Sequence, residues 1–224
     1  MTSTQHWAPK PKSFKWRKAI KDCLPQSVLE AADTSAVSQL VMRERLSRDL
    51  GLWEQMRDCF HDDSVVRISW IKASGPEFVL RSREMAERKG NAIHRLGPIL
   101  VTLAGDRAIA QVAAIIDIPF TLKDTEVIIS SHTQLLFRAE RRDGVWRLSG
   151  LDAVYLRDEI APVTPEQAVT VDLNTLKAFR PSYRLLSYCL ASAGYPVPDD
   201  LAGSDRPDLI NALFSEIYGW AGLT

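Results

Sequence analysis

The chain has 224 residues, 46% of them hydrophobic and 25% charged, with 28 Lys+Arg against 28 Asp+Glu. That is enough for one domain with a sizeable core, and the balanced charge argues against nucleic acid or an anionic membrane as a partner. No apolar run approaches the roughly 18 residues of a membrane span, no leader is evident, and Cys23, Cys59 and Cys189 are scattered and odd in number, which points to a reducing, cytoplasmic compartment without zinc-ligand spacing.

Residues 1–30 read as a basic arm. Lys10, Lys12, Lys15, Arg17, Lys18 and Lys21 are interleaved with Trp7, Phe14 and Trp16. Such an arm can bind nucleic acid, but nothing else in the chain is basic enough. A terminus lying on the body or on a second subunit is expected instead.

Ordered structure is expected from about Asp33, with Asp33, Thr34 and Ser35 as N-cap candidates. Met42, Leu46, Asp49 and Trp53 fall on one helical stripe. Asp49 is therefore expected on a mostly apolar face. Gly51 should break this helix, with a short helix following from Leu52 to Phe60. A first strand is expected at 65–70. "PEFVLRSREMAERKG" predicts a helix with Pro76 near its start and Gly90 past its end.

Four long strands come next. "AIHRLGPILVTLAG" and "RAIAQVAAIIDIPF" are joined at "AGDR", and "TEVIISSHTQLLFRAE" and "VWRLSGLDAVYL" at "RRDG". Asp-Gly tolerates the positive φ of a tight hairpin. Gly97-Pro98 inside the first of these strands predicts a bulge or bend. Sequential hairpins with helices on one face make an α+β cone. Residues 31–160 are assigned to it. Residues 161–224 form a helical extension, with helices in "SYRLLSYCLASAGY" and "RPDLINALFSEIYGWAG". Asp205 is the expected cap of the second. Their apolar stripes must be covered, either by the cone mouth or by a partner subunit.

Alternation along the strand puts His94 on the inward face with Ala92 and Leu96, and Arg95 toward water. A lone inward histidine is either a hydrogen-bonded core residue or a catalyst. Near its ordinary pKa of about 6.5 it can accept or donate a proton.

The order of elements resembles the SnoaL-like branch of the nuclear-transport-factor-like α+β cone superfamily. "SRDLGLWEQMRDCFHDDSVV" is similar to its first-helix ending, "IHRLGPILVTLAGDRAIAQ" to its strand pair, and "FRAERRDGVWRLSGLDAVYLRD" to its last hairpin, together spanning about residues 34–160. The superfamily includes scytalone dehydratase, bile-acid dehydratase, ketosteroid isomerase, polyketide cyclases, limonene epoxide hydrolase and lignin-derived biaryl diol lyases, as well as members that only bind. Fold does not choose among these.

The resemblance implies a strongly curved sheet around an apolar pocket, an Asp49–His94 acid–base pair, no cofactor, no metal, and a homodimer formed through the sheet face. It implies a cofactor-independent lyase, dehydratase or isomerase acting on a small hydrophobic, aromatic or polycyclic molecule. The alternative is a binding protein using the same pocket. Arg45 is read either as binding a phenolate or carboxylate or as a surface charge, and Trp53, Phe60 and Trp70 either as an aromatic wall or as plain core. His132 and Gln134 share one face of their strand and are preferred as polar pocket wall. Ser131, Thr133, Leu135 and Phe137 share the other, expected to be core. Tyr155 could donate to a developing oxyanion. The first helix has no tyrosine, unlike scytalone dehydratase, so a close copy of that reaction is not expected.

Overall fold

The computed structural model describes residues 25–89 and 92–223. Most of the expected basic arm, Cys23 and the expected helix-ending Gly90 lie outside them.

The first helix, α1 (Gln26–Asp49), is followed by α2 (Trp53–Asp58), β1 (Phe60–Ile68), β2 (Ile71–Ser74) and α3 (Gly75–Lys89). The long strands are β3 (Ile93–Ala104), β4 (Arg107–Leu122), β5 (Thr125–Arg142) and β6 (Val145–Pro162). The extension holds α4 (Leu173–Lys177), α5 (Arg184–Ser192) and α6 (Pro207–Ala221). The six strands run β2-β1-β6-β5-β4-β3, an open, curved sheet. All neighbours are antiparallel except β1 and β6. This is the α+β cone expected from the sequence.

Local chemistry explains the joints. Asp143 and Gly144 both take positive φ, 52° and 76°, as a two-residue hairpin between right-twisted strands requires. The β3–β4 register slips between Leu96 and Ile99, at the expected Gly97-Pro98 bulge. Gly51, at φ 69°, turns the chain out of α1.

Three expectations are corrected. Helix α1 begins at Gln26 behind Pro25, so Asp33 lies inside it. Asp33 does not cap; its carboxylate accepts from Arg141 at 2.7 Å and from the Trp146 indole at 3.0 Å. The first strand starts at Phe60 and pairs with β2, a short hairpin partner that had no sequence signal. Asp205 does not cap α6; it holds Arg180 by two hydrogen bonds, at 3.0 and 2.8 Å.

The pleat sorts β4, β5 and β6 into two faces. Ala108, Ala110, Leu135, Phe137, Ala153 and Tyr155 point into the concave core against α1, α3 and α5. Their neighbours Ile109, Leu136 and Val154 point outward, where Leu213 and Ile217 of α6 cover them. Gln111 donates to the Tyr218 hydroxyl at 2.9 Å, and Arg107 lies over the Trp220 ring at 5.0 Å. The part of the outer sheet face around Ile109, Leu136 and Val154 is thus packed by the chain's own last helix.

Candidate functional site

A cavity opens between α1, the concave sheet face, α3 and α5. Arg45, Arg48, Trp70, Met85, His94, Ile116, Ser131, Leu151, Tyr155, Leu186 and Leu190 are among its lining residues, and its empty space, mouth included, is about 650 Å³. A second hollow, toward Pro119, Phe120 and Tyr195, shares Arg48, Met85, Ala92, Ile118 and Leu190 with it. The extension therefore folds back over the mouth in cis: Leu186 and Leu190 on α5 form part of the wall, and Tyr195 meets Trp70 edge-on at 6.4 Å.

His94 and Asp49 meet in this wall. The His94 side chain is 3% exposed and the Asp49 side chain 15%. Asp49 holds the histidine twice: Oδ2 accepts from the His94 backbone N–H at 2.8 Å, and Oδ1 lies 2.5 Å from Nδ1. The other ring nitrogen, Nε2, is 3.2 Å from Arg45 Nη1. A guanidinium can only donate. Nε2 therefore carries the lone pair, and Nδ1–H donates to Asp49.

The electrostatics agree with that tautomer. Burial lowers the His94 pKa to about 4; the Asp49 hydrogen bond opposes this, while Arg45 and Arg48 reinforce it. The ring is neutral at pH 7. For Asp49, burial alone would raise the pKa, but the His94 hydrogen bonds and charge, with Arg45, hold it below its ordinary value. The Tyr155 hydroxyl accepts from the Ser69 backbone N–H at 2.7 Å. Burial pushes its pKa up to about 12, so it stays a protonated donor.

Two arginines project from α1 on the buried side. Arg45 is ion-paired with Glu44, itself wholly buried. Arg48 lies 6.0 Å from each of the Trp70 and Phe78 rings. Burial and repulsion from Arg45 bring its pKa down to about 10, against the pull of Glu44 and Asp49. The expected apolar stripe is corrected here: Met42 and Leu46 are 39% and 58% exposed, and the inward face carries Val37, Leu40, Val41, Glu44, Arg45 and Arg48.

Of the sequence candidates, Arg45, Trp70, His94 and Tyr155 line the cavity, and Asp49 stands behind His94. Trp53 is half-buried against the core and does not line the cavity. Phe60 packs on Phe78 at 6.0 Å, one layer behind Trp70. His132 and Gln134 are corrected: they face the outer side of the sheet, and His132 Nε2 lies 3.6 Å from Glu159. The inward neighbours Ser131 and Leu135 line the cavity instead. Core and pocket occupy the same concave face of a cone, so a polar set on the opposite parity had to point outward. The His61 ring Nε2 is 3.0 Å from the Glu140 carbonyl, and the His61 backbone carbonyl accepts from the Ser64 hydroxyl at 2.6 Å. Among the described residues no group of three His, Cys, Asp or Glu side chains is placed to hold a metal ion.

Sequence reasoning missed Arg48 and Ser69, expected Ser131 only as core, and left the cover of the α5 leucines open between the cone mouth and a partner subunit. Arg48 was findable, being three residues from Arg45 and four from Glu44 on one helical face. Ser69 was not, because it acts through its backbone N–H.

The fold agrees with comparisons to known proteins. The model of the SnoaL-like domain matches residues 29–152. The chain belongs to the SnoaL-like domain family. Pea pathogenicity protein 2 of Fusarium vanettenii is 26% identical over 183 residues, 78% of each chain. The uncharacterized protein AN9274 of Emericella nidulans is 26% identical over 168 residues, 71% of each. The crystal structure of the hexachlorocyclohexane dehydrochlorinase LinA-type3 from Novosphingobium barchaimii aligns with a TM-score of 0.52 at 19% identity, covering 65% of this chain and all of that one. A candidate scytalone dehydratase from Novosphingobium aromaticivorans aligns at 0.50 and 13%, covering 66% and 96%. At such identities these likenesses speak for the fold. The SnoaL-like family includes dehydratases and isomerases.

Proposed function

We propose that the cavity runs a cofactor-independent lyase, dehydratase or isomerase reaction on a small hydrophobic ring compound. The carrying observation is the Asp49–His94 pair, with Nδ1–H on the carboxylate and the Nε2 lone pair on the cavity side. In this mechanism Nε2 takes a proton from an activated C–H of the substrate. The imidazolium that forms is oriented and stabilised by Asp49. The electrons of the C–H bond move toward the neighbouring carbon, and an oxygen substituent leaves or gains electron density. The Tyr155 phenol, kept protonated by burial, donates to that oxygen. Trp70 and the aliphatic lining hold the rings.

A panel of aromatic diols and hydroxyketones tests this. Turnover by the parent, lost in folded Asp49→Asn and His94→Ala proteins, supports the assignment. Full activity in both variants would sink it. Ring NMR gives a second readout: the carboxylate raises the His94 pKa, so Asp49→Asn should lower it further.

One observation favours a second reading, a pocket that binds without turnover. Arg45 already occupies Nε2, so the base is not free in the empty site. Stoichiometric binding of a panel compound with no product on long incubation would decide for this alternative.

A further inference from the structure

Arg48 has no role in the chemistry above, yet it is 5% exposed and forms part of the cavity wall. Among the described residues its guanidinium makes no hydrogen bond and no ion pair; it lies over the faces of Trp70 and Phe78. Arg45, one turn earlier, shows the usual solution: its guanidinium is matched by Glu44. Buried charges are as a rule paired and hydrogen-bonded. The nearby acids do not supply the missing partner, because Glu44 is bound to Arg45 and Asp49 holds His94. Even with its pKa brought down, Arg48 is protonated at neutral pH.

Two more lining groups have unmet hydrogen-bonding capacity. The Ser131 hydroxyl is buried without a partner. The Tyr155 oxygen accepts from Ser69, and its own proton has no acceptor among the described residues. Unsatisfied buried polar groups are few in native proteins, and here they share one cavity with an unpaired cation.

We propose that the ligand of this cavity is a ring compound carrying an ionised acid group, a carboxylate, whose anion is held by Arg48 while the rings lie against Trp70 and the aliphatic wall. A planar guanidinium matches a carboxylate by two parallel hydrogen bonds. Ser131 and Tyr155 are then donors for further oxygen substituents. The inference rests on the reading of the cavity as a small-molecule site and names the class of molecule that it takes.

The test uses 2-naphthoate and its uncharged near-isostere 2-naphthamide, with binding followed by calorimetry and by protein NMR at pH 7. The parent should bind the carboxylate at least about tenfold more tightly than the amide. Arg48→Met should remove that preference and leave amide binding within about twofold; Arg48→Gln gives the same comparison with a polar side chain of different shape. Equal binding of both probes by the parent, binding of neither, or an undiminished preference in the folded Arg48 variants would each overturn the proposal. The His94→Gln protein separates the two claims. If it keeps the carboxylate preference while the parent itself turns over no panel compound, the ligand class stands and the catalytic reading falls.

Discussion

Lowering the pH from 7 to 5 should destabilise the protein through His94. Its folded pKa of about 4 lies below the ordinary 6.5, so the unfolded chain binds the proton first. The contribution is therefore complete above about pH 6.5 and drains away as the pH falls toward 4. The full shift of about 2.5 units corresponds to about 3 kcal/mol, of which about 2 kcal/mol is gone by about pH 5. Other groups titrate nearby. His132 also has a lowered pKa, while burial raises the pKa of Asp152 and Asp158, which acts with the opposite sign. A His94→Gln protein keeps all of these, so the difference between the two proteins reports the ring together with the Asp49 carboxylate that it holds below its ordinary value. Urea unfolding followed by tryptophan fluorescence at pH 7, 6 and 5 measures it. The parent should lose about 2 kcal/mol more than the variant over that range. Parallel losses in the two proteins would mean that His94 is hydrated or already protonated, and the assignment of a neutral base in a dry wall would be wrong.

Two further predictions concern packing and charge. Arg48→Met, which replaces an unpaired buried cation by an apolar chain of similar length, should raise the unfolding free energy of the ligand-free protein by about 1–4 kcal/mol, and should raise the His94 pKa because one of the charges that lowers it is gone; a loss of stability would show that the guanidinium has a partner. Ile217→Ala, at a fully buried position under α6, should cost about 2–5 kcal/mol in urea unfolding while leaving 2-naphthoate binding unchanged, since α6 packs on the sheet face away from the cavity; weakened binding would show that the two faces are coupled.

Alternation and turn chemistry made much of this molecule legible. His94 could be placed inward because strand parity admits only two choices, and Asp143-Gly144 marked its hairpin because few residue pairs tolerate those φ values. Asp49 at the end of α1 followed from the same helix. The inward face of α1 was hidden for a physical reason. A hydrophobic-periodicity argument assumes that the buried face is apolar, and here it carries Glu44, Arg45 and Arg48 while Leu46 is left in solvent. His132 and Gln134 misled because polarity on a strand suggests a pocket only if pocket and core lie on opposite faces. The contribution of α5 was open as well: its leucines needed cover, but only tertiary structure says which surface gives it.

The wall formed by Leu186 and Leu190 has a consequence for the order in which this protein is made. Synthesis completes the sheet at Pro162, before α5 has left the ribosome. At that moment the strands can pair and His94 can reach Asp49, but the mouth of the cone stands open to water. Hydration would let the imidazole regain its ordinary affinity for protons and would shield Arg48. When α5 docks, Leu186 and Leu190 complete the wall of the cavity, and the burial that holds the His94 pKa near 4 is in place.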